Sequence, residues 1–175
     1  KSEIVSVGRL EAQKNQKLLI DAFTLIANDF PECQLTIYGE GSLRKELEDY
    51  IKAKGLQERV FLPGSKNNIQ EHIKDASLFV LSSDYEGIPN ALIEAMAIGL
   101  PCVSTDCSPG GARELIEEGI SGLITPCSDV RKLSDAMRMM LSNKTYAKAC
   151  GIEALRIREK TDAKKISEDW LRYIS

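Results

Sequence analysis

The chain has 175 residues and a net charge of −3, with 43% hydrophobic and 28% charged residues, the balance of one ordinary globular domain. Positive and negative side chains are interspersed, which excludes a basic stripe for nucleic acid. No apolar run approaches the roughly 20 residues that a membrane-spanning helix needs.

Short apolar runs rich in β-branched residues alternate with amphipathic segments along the chain. The runs predict strands at residues 4–7, 35–38, 60–62, 78–81, 101–105 and 122–125. Apolar spacing predicts helices at residues 14–30, 42–55, 69–74, 91–98, 110–118 and 130–141, and one or two more within 144–175. Repeated βα units form parallel sheets with right-handed crossovers. We therefore predict an α/β fold, a Rossmann-like doubly wound six-stranded parallel sheet with helices on both faces.

The predicted helix at 91–98 carries a single acid, Glu94, among apolar residues. A helix that is apolar all round belongs in a protein interior, where a carboxylate needs a hydrogen-bond donor. A ligand hydroxyl is a candidate donor, and the alternative is the protein backbone. Glu86 lies eight residues earlier, in the loop after a strand, where open α/β sheets bind ligands; the alternative is an ordinary surface acid.

The first predicted strand is followed by a loop with two cations, Arg9 and Lys14. Two cations beside the free N–H groups of a helix start form a phosphate site. The alternative is a solvated surface pair whose charge Glu11 offsets. Because these cations, the two acids and the Gly110-Gly111 loop all follow predicted strands, they lie at the same edge of one sheet. Cations for phosphate and acids for sugar hydroxyls predict a nucleotide-sugar site.

Other chemistries fit the sequence poorly. There is one histidine, His72, and no G-x-S-x-G motif for a nucleophile, nor a G-x-x-x-x-G-K-[ST] phosphate loop. No D-x-D motif would hold a divalent ion, so we expect no metal or other cofactor. The five cysteines form no zinc spacing, which favours reduced thiols and a cytoplasmic location.

Three motifs resemble the donor-binding half of a GT-B-type retaining glycosyltransferase of family four, the glycosyl transferases group 1. Together they extend from Val7 to about Leu141. The motifs are Val7-Gly8-Arg9-Leu10 with Lys14-Asn15, Glu86 through Asn90 with Glu94, and Gly99-Leu100-Pro101 through Thr105-Asp106 with Gly110-Gly111 and Glu114.

The resemblance implies a role for each matching position. Arg9 and Lys14 would hold the donor diphosphate and stabilise the leaving nucleotide, and Glu86 would face the transferred sugar; these three are the expected catalytic residues. Glu94 would accept hydrogen bonds from the ribose hydroxyls. The donor-binding residues implied are Gly8, Arg9, Lys14, Gly64, Ser65, Gly87, Ile88, Pro89, Asn90 and Glu94.

The resemblance also implies a partner domain. Family members have an N-terminal domain that binds a glycan or lipid-linked acceptor, and this chain starts at Lys1 with its first motif at Val7. We therefore expect residues 1–175 to be the donor-binding domain alone, which binds a nucleotide sugar weakly without turnover. The full enzyme is expected in the cytoplasm, with peripheral association at the inner face of the membrane, and without nucleic acid.

Two other functions stay open at this point. One is a non-catalytic α/β module, such as a receiver-like or flavodoxin-like domain, that binds a phosphorylated ligand. A receiver would need an acidic cluster at the end of the first strand, where Gly8 and Arg9 stand instead. The other is a GT-B relative of another reaction class, such as a nucleotide-sugar epimerase or a phosphorylase.

Overall fold

A computed structural model of the chain describes residues 2–160, and its centre is a sheet of six parallel strands. Their order across the sheet is β3-β2-β1-β4-β5-β6, so the direction of winding reverses between β1 and β4. The strands are β1 Glu3–Val7, β2 Gln34–Tyr38, β3 Val60–Gly64, β4 Leu78–Leu81, β5 Cys102–Thr105 and β6 Leu123–Thr125. The helices within this part of the chain are α1 Gln16–Ile26, α2 Arg44–Ala53, α3 Ile69–Ile73, α4 Asn90–Ala97, α5 Gly111–Leu115, α6 Val130–Ser142, α7 Lys144–Ala154 and α8 Ile157–Lys160.

Helices cover both faces of the sheet, which confirms the predicted fold class. Successive side chains of a strand point to opposite faces, and β4 shows this directly. Leu78 and Val80 pack into the core beneath α1, α2 and α6, whereas Phe79 and Leu81 pack into a second core beneath α3, α4 and α5. A sheet buried on both faces favours apolar runs rather than polar alternation. Strand β4 is apolar at every position, and the inner residues of β1 and all residues of β5 are buried.

Three local predictions were wrong in detail. The helix predicted from residue 14 begins at Gln16, because Asn15 adopts a left-handed conformation (φ 44°) and caps α1 through Leu18 N–H. Helix α5 ends at Leu115 rather than near residue 118, because Ile116 is extended. The helix predicted at residues 42–55 spans only Arg44–Ala53, and the hydroxyl of Ser42 donates to Glu11 rather than to the start of this helix.

The C-terminal part of the described chain is helical as predicted, in α7 and α8. The predicted helical residues beyond 160 lie outside the described residues. Among the helices of residues 2–160, none is both long enough and apolar enough to span a membrane. All five cysteines are free thiols, and four of them are buried: Cys33, Cys102, Cys107 and Cys150.

Candidate active site

A cleft of about 300 Å³ opens at the carboxyl edge of the sheet, beside the point where the strand order reverses. Open α/β sheets bind ligands at this position, outside the carboxyl ends of the strands. Its walls come from the loops after β1, β2 and β3 and from one side of α4. The lining residues are Val7, Gly8, Arg9, Tyr38, Gly39, Glu40, Ser65, Lys66, Ile69, Ala91 and Glu94. A larger cleft of about 720 Å³ lies at the opposite edge, and it contains none of the predicted site residues.

Glycines hold the first two loops of the cleft in close contact. A Cβ on Gly39 (φ 147°) would lie 1.9 Å from the carbonyl oxygen of Gly8, and one on Gly41 would lie 2.3 Å from that of Leu10. The N–H of Leu10 donates to the carbonyl of Glu40 at 2.9 Å. These glycines therefore serve backbone packing between the loops, as a tight turn would require.

Glu94 is less buried than its helix pattern predicted. Helix α4 forms a wall of the cleft, so Glu94 is half-buried and faces open space rather than a sealed core. Within residues 2–160, no hydrogen bond or ion pair reaches its carboxylate. The prediction that Glu94 lies in the protein interior was therefore wrong. Its carboxylate still lacks a donor within the described residues, and Gly8, Arg9 and Ser65 line the same cleft.

The two predicted cations have different surroundings in the structure. Lys14 ends a short 3-10 turn, Ala12–Lys14, and its amine forms an ion pair with the carboxylate of Glu86. The Lys14 and Glu86 side chains are only 15% and 8% exposed, so solvent ions screen this pair weakly. Arg9 is exposed at the cleft, and its guanidinium makes no hydrogen bond within the described part of the chain.

Glu11 does not neutralise both cations, as the alternative interpretation of this loop required. Its carboxylate accepts hydrogen bonds from the backbone N–H of Ser42 at 3.0 Å and from the hydroxyl of Ser42 at 2.9 Å. These hydrogen bonds, with a smaller contribution from the charge of Arg9, lower the pKa of Glu11. Glu11 therefore joins the first two loops and stays ionised, while Lys14 pairs elsewhere.

Short contacts position Glu86 from both sides. The hydroxyl of Ser83 donates to Oε1 of Glu86 at 2.8 Å, and the backbone N–H of Glu86 donates to the carbonyl of Ser108 at 2.8 Å. Sequence reasoning missed Ser83. A polar residue immediately after an apolar strand, three positions before the acid, was the available signal.

A second set of hydrogen bonds joins the loop after β1 to the loop after β4. Asn15 Nδ2 donates to both carboxylate oxygens of Asp84, at 3.1 and 2.9 Å, and the N–H of Asp84 donates to the carbonyl of Gln13 at 2.9 Å. The Ser82 hydroxyl donates to the carbonyl of Lys14 at 2.9 Å. These bonds fix the backbone on both sides of the Lys14–Glu86 pair.

The remaining predicted residues divide between the cleft and the loop beside it. Ser65 lines the cleft, and Gly64 (φ 86°) accepts a hydrogen bond from Gly39 N–H at 3.1 Å. The segment Gly87, Ile88, Pro89 and Asn90 does not line the cleft; Pro89 is buried, whereas Ile88 is 74% exposed. A Cβ on Gly111 would lie 2.0 Å from the carbonyl oxygen of Gly87, so this glycine accommodates protein backbone rather than a ligand.

The loop after β5 holds one further ion pair. Arg113 donates through Nε and Nη2 to the two carboxylate oxygens of Asp106, at 2.7 Å each. The guanidinium beside Asp106 lowers the pKa of that carboxyl. Glu114 is exposed and makes no side-chain hydrogen bond within residues 2–160, so its place in the first turn of α5 suits the helix dipole.

Comparison with known proteins gives a family and a set of similar folds. The family described as "Glycosyl transferases group 1" matches residues 1–156. An N-acetylgalactosamine-N,N'-diacetylbacillosaminyl-diphospho-undecaprenol 4-alpha-N-acetylgalactosaminyltransferase of Campylobacter jejuni is 35% identical over 171 residues, which are 98% of this chain and 46% of that protein. The crystal structure of a point mutant of S. aureus TarM in complex with UDP, among other ligands, superposes with a TM-score of 0.91 at 28% identity, over 98% of this chain and 35% of that one.

One similar structure is a single domain of about this size, whereas the curated relatives are longer than this chain. The C-terminal domain of a glycosyl transferase group 1 family protein from Francisella tularensis has the same fold, with a TM-score of 0.82, 22% identity and coverage of 92% of this chain and 86% of that one. The chain spans 27%, 46% and 47% of the length of three curated relatives that it matches. With a Rossmann-like sheet of the GT-B type and a family match over nearly all of its length, the chain belongs to the glycosyl transferases group 1.

Proposed function

We propose that this chain is the nucleotide-sugar-binding domain of a retaining glycosyltransferase, which moves a hexose-type sugar from a nucleoside diphosphate onto a glycan or lipid-linked acceptor. The observation that carries the proposal is the carboxylate of Glu94, which has no partner within residues 2–160 and faces a cleft lined also by Arg9. A vicinal diol offers two O–H donors, and an ionised carboxylate offers only acceptors. The ribose of a nucleotide carries such a diol, and its two hydroxyls would be the donors that the Glu94 carboxylate lacks.

The cations supply the positive charge that a diphosphate needs. The Arg9 guanidinium presents a planar array of N–H donors at the cleft, a geometry suited to phosphate oxygens. Negative charge grows on the diphosphate as the sugar departs, so a cation already in place stabilises the transition state more than the ground state. In this proposal Arg9 and Lys14 bind the leaving nucleoside diphosphate and stabilise its negative charge, without a metal ion.

Glu86 takes the sugar side of the reaction in this proposal. It lies one loop away from Glu94 at the same edge of the sheet. In the same proposal Gly64 and Ser65 lie near the base of the nucleotide, and the backbone of residues 87–90 runs along the sugar and the diphosphate. Retention is supported by two relatives, the Campylobacter jejuni enzyme and a poly(glycerol-phosphate) alpha-glucosyltransferase of Bacillus subtilis, whose names specify α-linked products. An α-linked nucleotide sugar gives an α-linked product only if configuration is retained.

The acceptor belongs to a separate domain in this proposal. The chain covers 46% of the Campylobacter jejuni relative and 35% of TarM, which leaves room for an acceptor-binding half in the whole protein. The isolated chain would then bind donor weakly and transfer no sugar. The undecaprenol in the name of the Campylobacter jejuni enzyme supports a lipid-linked acceptor, and with it a cytoplasmic enzyme at the membrane surface.

Calorimetry on the chain with UDP, GDP, ADP and inorganic phosphate tests the proposal. We expect one nucleoside diphosphate to bind, and Glu94→Gln to weaken its binding at least tenfold. The amide has one acceptor oxygen where the carboxylate has two, and the remaining bond is no longer charge-assisted. Glu58→Gln is the matched control, since Glu58 is exposed in the loop before β3, at the other edge of the sheet. Equal nucleotide affinity in wild type and Glu94→Gln would contradict the proposal. Phosphate binding as tight as nucleotide binding would favour a non-catalytic phospho-ligand module.

A further inference from the structure

The carboxylate of Glu86 is held by only one of its two oxygens. Both side-chain donors, the Lys14 amine and the Ser83 hydroxyl, bind Oε1. Within residues 2–160 no donor binds Oε2, and this atom is not among the fully enclosed polar atoms that lack a partner. The side chain is 8% exposed, so Oε2 is the oxygen that remains open to an incoming hydroxyl.

The two donors on Oε1 differ in mobility. Lys14 carries a mobile ammonium on a four-carbon stem, and a diphosphate in the cleft would compete with Glu86 for it. Ser83 is fully buried, and its carbonyl accepts a hydrogen bond from the Thr105 hydroxyl at 2.5 Å. Its short side chain reaches Oε1 at 2.8 Å and has no comparable freedom to follow a ligand. When Lys14 turns toward phosphate, Ser83 is the side-chain donor that stays.

We infer that Ser83 is a positioning residue for sugar recognition: its hydroxyl holds Oε1 of Glu86 so that Oε2 is presented to a hydroxyl of the transferred sugar. Ser83 touches no substrate and acts only through Glu86. The inference rests on the proposed function, because it requires a nucleotide sugar whose diphosphate draws Lys14 and whose sugar reaches Glu86. The inference predicts that loss of the Ser83 hydroxyl weakens binding of the sugar without weakening binding of the nucleotide.

Ser83→Ala removes the hydroxyl and leaves the backbone contacts in place. Ser104→Ala is the matched control, since Ser104 is equally buried on the neighbouring strand β5 and its hydroxyl donates to the carbonyl of Thr105 at 2.9 Å, away from Glu86. Ser83→Thr restores the hydroxyl and tests whether the donor, rather than the small side chain, is required. Thermal unfolding of all three variants verifies that each is folded at the temperature of the binding measurement.

The readout is the ratio of the Kd of a nucleotide sugar to the Kd of its own diphosphate. Calorimetry would use UDP with UDP-glucose, UDP-N-acetylglucosamine and UDP-N-acetylgalactosamine, and GDP with GDP-mannose. We expect Ser83→Ala to raise this ratio roughly five-fold, the usual effect of one hydrogen bond, and to leave diphosphate affinity within about two-fold. We expect Ser104→Ala to change neither quantity, and Ser83→Thr to bring the ratio back toward the wild-type value.

Two results would overturn the inference. The first is an unchanged ratio in Ser83→Ala, whether both affinities hold or both fall equally. The second is a wild-type chain that binds a diphosphate but none of the nucleotide sugars. The first result leaves Glu94-dependent binding of nucleotide and nucleotide sugar intact, so it separates the failure of Ser83 from failure of the proposed function. The second removes the sugar part of the proposed function as well. Absence of any Glu94-dependent nucleotide binding would remove both.

Discussion

Arg59 joins the end of α1 to the start of β3, and its replacement should cost the fold more than any exposed arginine. Its guanidinium donates four hydrogen bonds to three backbone carbonyls: to Cys33 at 2.9 and 2.7 Å, to Ala27 at 3.0 Å and to Phe30 at 2.7 Å. Its central carbon also lies 5.3 Å from the centre of the Phe23 ring. The three carbonyls lie just after α1 and in the segment that joins it to β2, so Arg59 fixes this connection against the start of β3.

The expected loss in the free energy of unfolding is the sum of the interactions that Arg59→Met removes. Three carbonyls lose a charged donor at about 1 kcal/mol each, since water replaces part of each bond. The contact with the Phe23 ring adds about 0.5–1 kcal/mol, and methionine keeps the apolar packing. The free energy of unfolding should therefore fall by about 3–4 kcal/mol. Arg59→Lys keeps the charge but not the planar set of donors, and we expect it to lose about 2 kcal/mol.

Urea unfolding followed by circular dichroism measures this loss. With an m-value of about 2–3 kcal/mol/M, the midpoint for Arg59→Met should fall by roughly 1–2 M without a change in m. Arg131→Met is the control, because Arg131 is exposed on α6 and its side chain makes no hydrogen bond in the described part of the chain; it should change stability by less than about 0.5 kcal/mol. An Arg59→Met variant as stable as Arg131→Met would refute the reasoning.

Three further predictions concern close packing, the site loop and pH. Gly151→Ala should destabilise the protein by about 1–3 kcal/mol despite the better helix propensity of alanine, because the new Cβ would lie 2.3 Å from the carbonyl oxygen of Gly99. Differential scanning calorimetry would show the loss as a lower Tm, and an unchanged Tm would contradict the prediction. Asn15→Ala should destabilise more than Asn15→Gly in urea, because alanine tolerates a φ of 44° poorly while both variants lose the cap and the bonds to Asp84. Burial raises the pKa of the Cys33 thiol from 9.0 to about 11, so the unfolded chain loses this proton first as pH rises. The stability that this protonated thiol contributes should be fully present below pH 9 and be lost between pH 9 and 11. The free energy of unfolding of Cys33→Ala should therefore fall less steeply than that of the wild type over that interval.

The sequence determined the class of fold through patterns that are local. Runs such as Leu78–Leu81, apolar at every position, are typical of a strand covered on both faces, and their alternation with amphipathic helices predicts a parallel sheet. The carboxyl ends of parallel strands share one edge, so the sequence alone assigns the loops with Arg9 and Glu86 to the same side of the molecule. The motif resemblance to glycosyl transferases group 1 rested on the same local residues, and the family match confirms it.

Which side chains meet at that edge was decided only by the tertiary structure. Lys14 and Glu86 are 72 positions apart, and they pair because β1 and β4 are neighbours at the centre of the sheet. No local pattern states that strand order. The exposure of Glu94 likewise depends on the cleft beside α4 rather than on the composition of the helix. Periodicity and propensity act over a few residues, whereas charge pairing and burial depend on elements that the chain brings together from a distance.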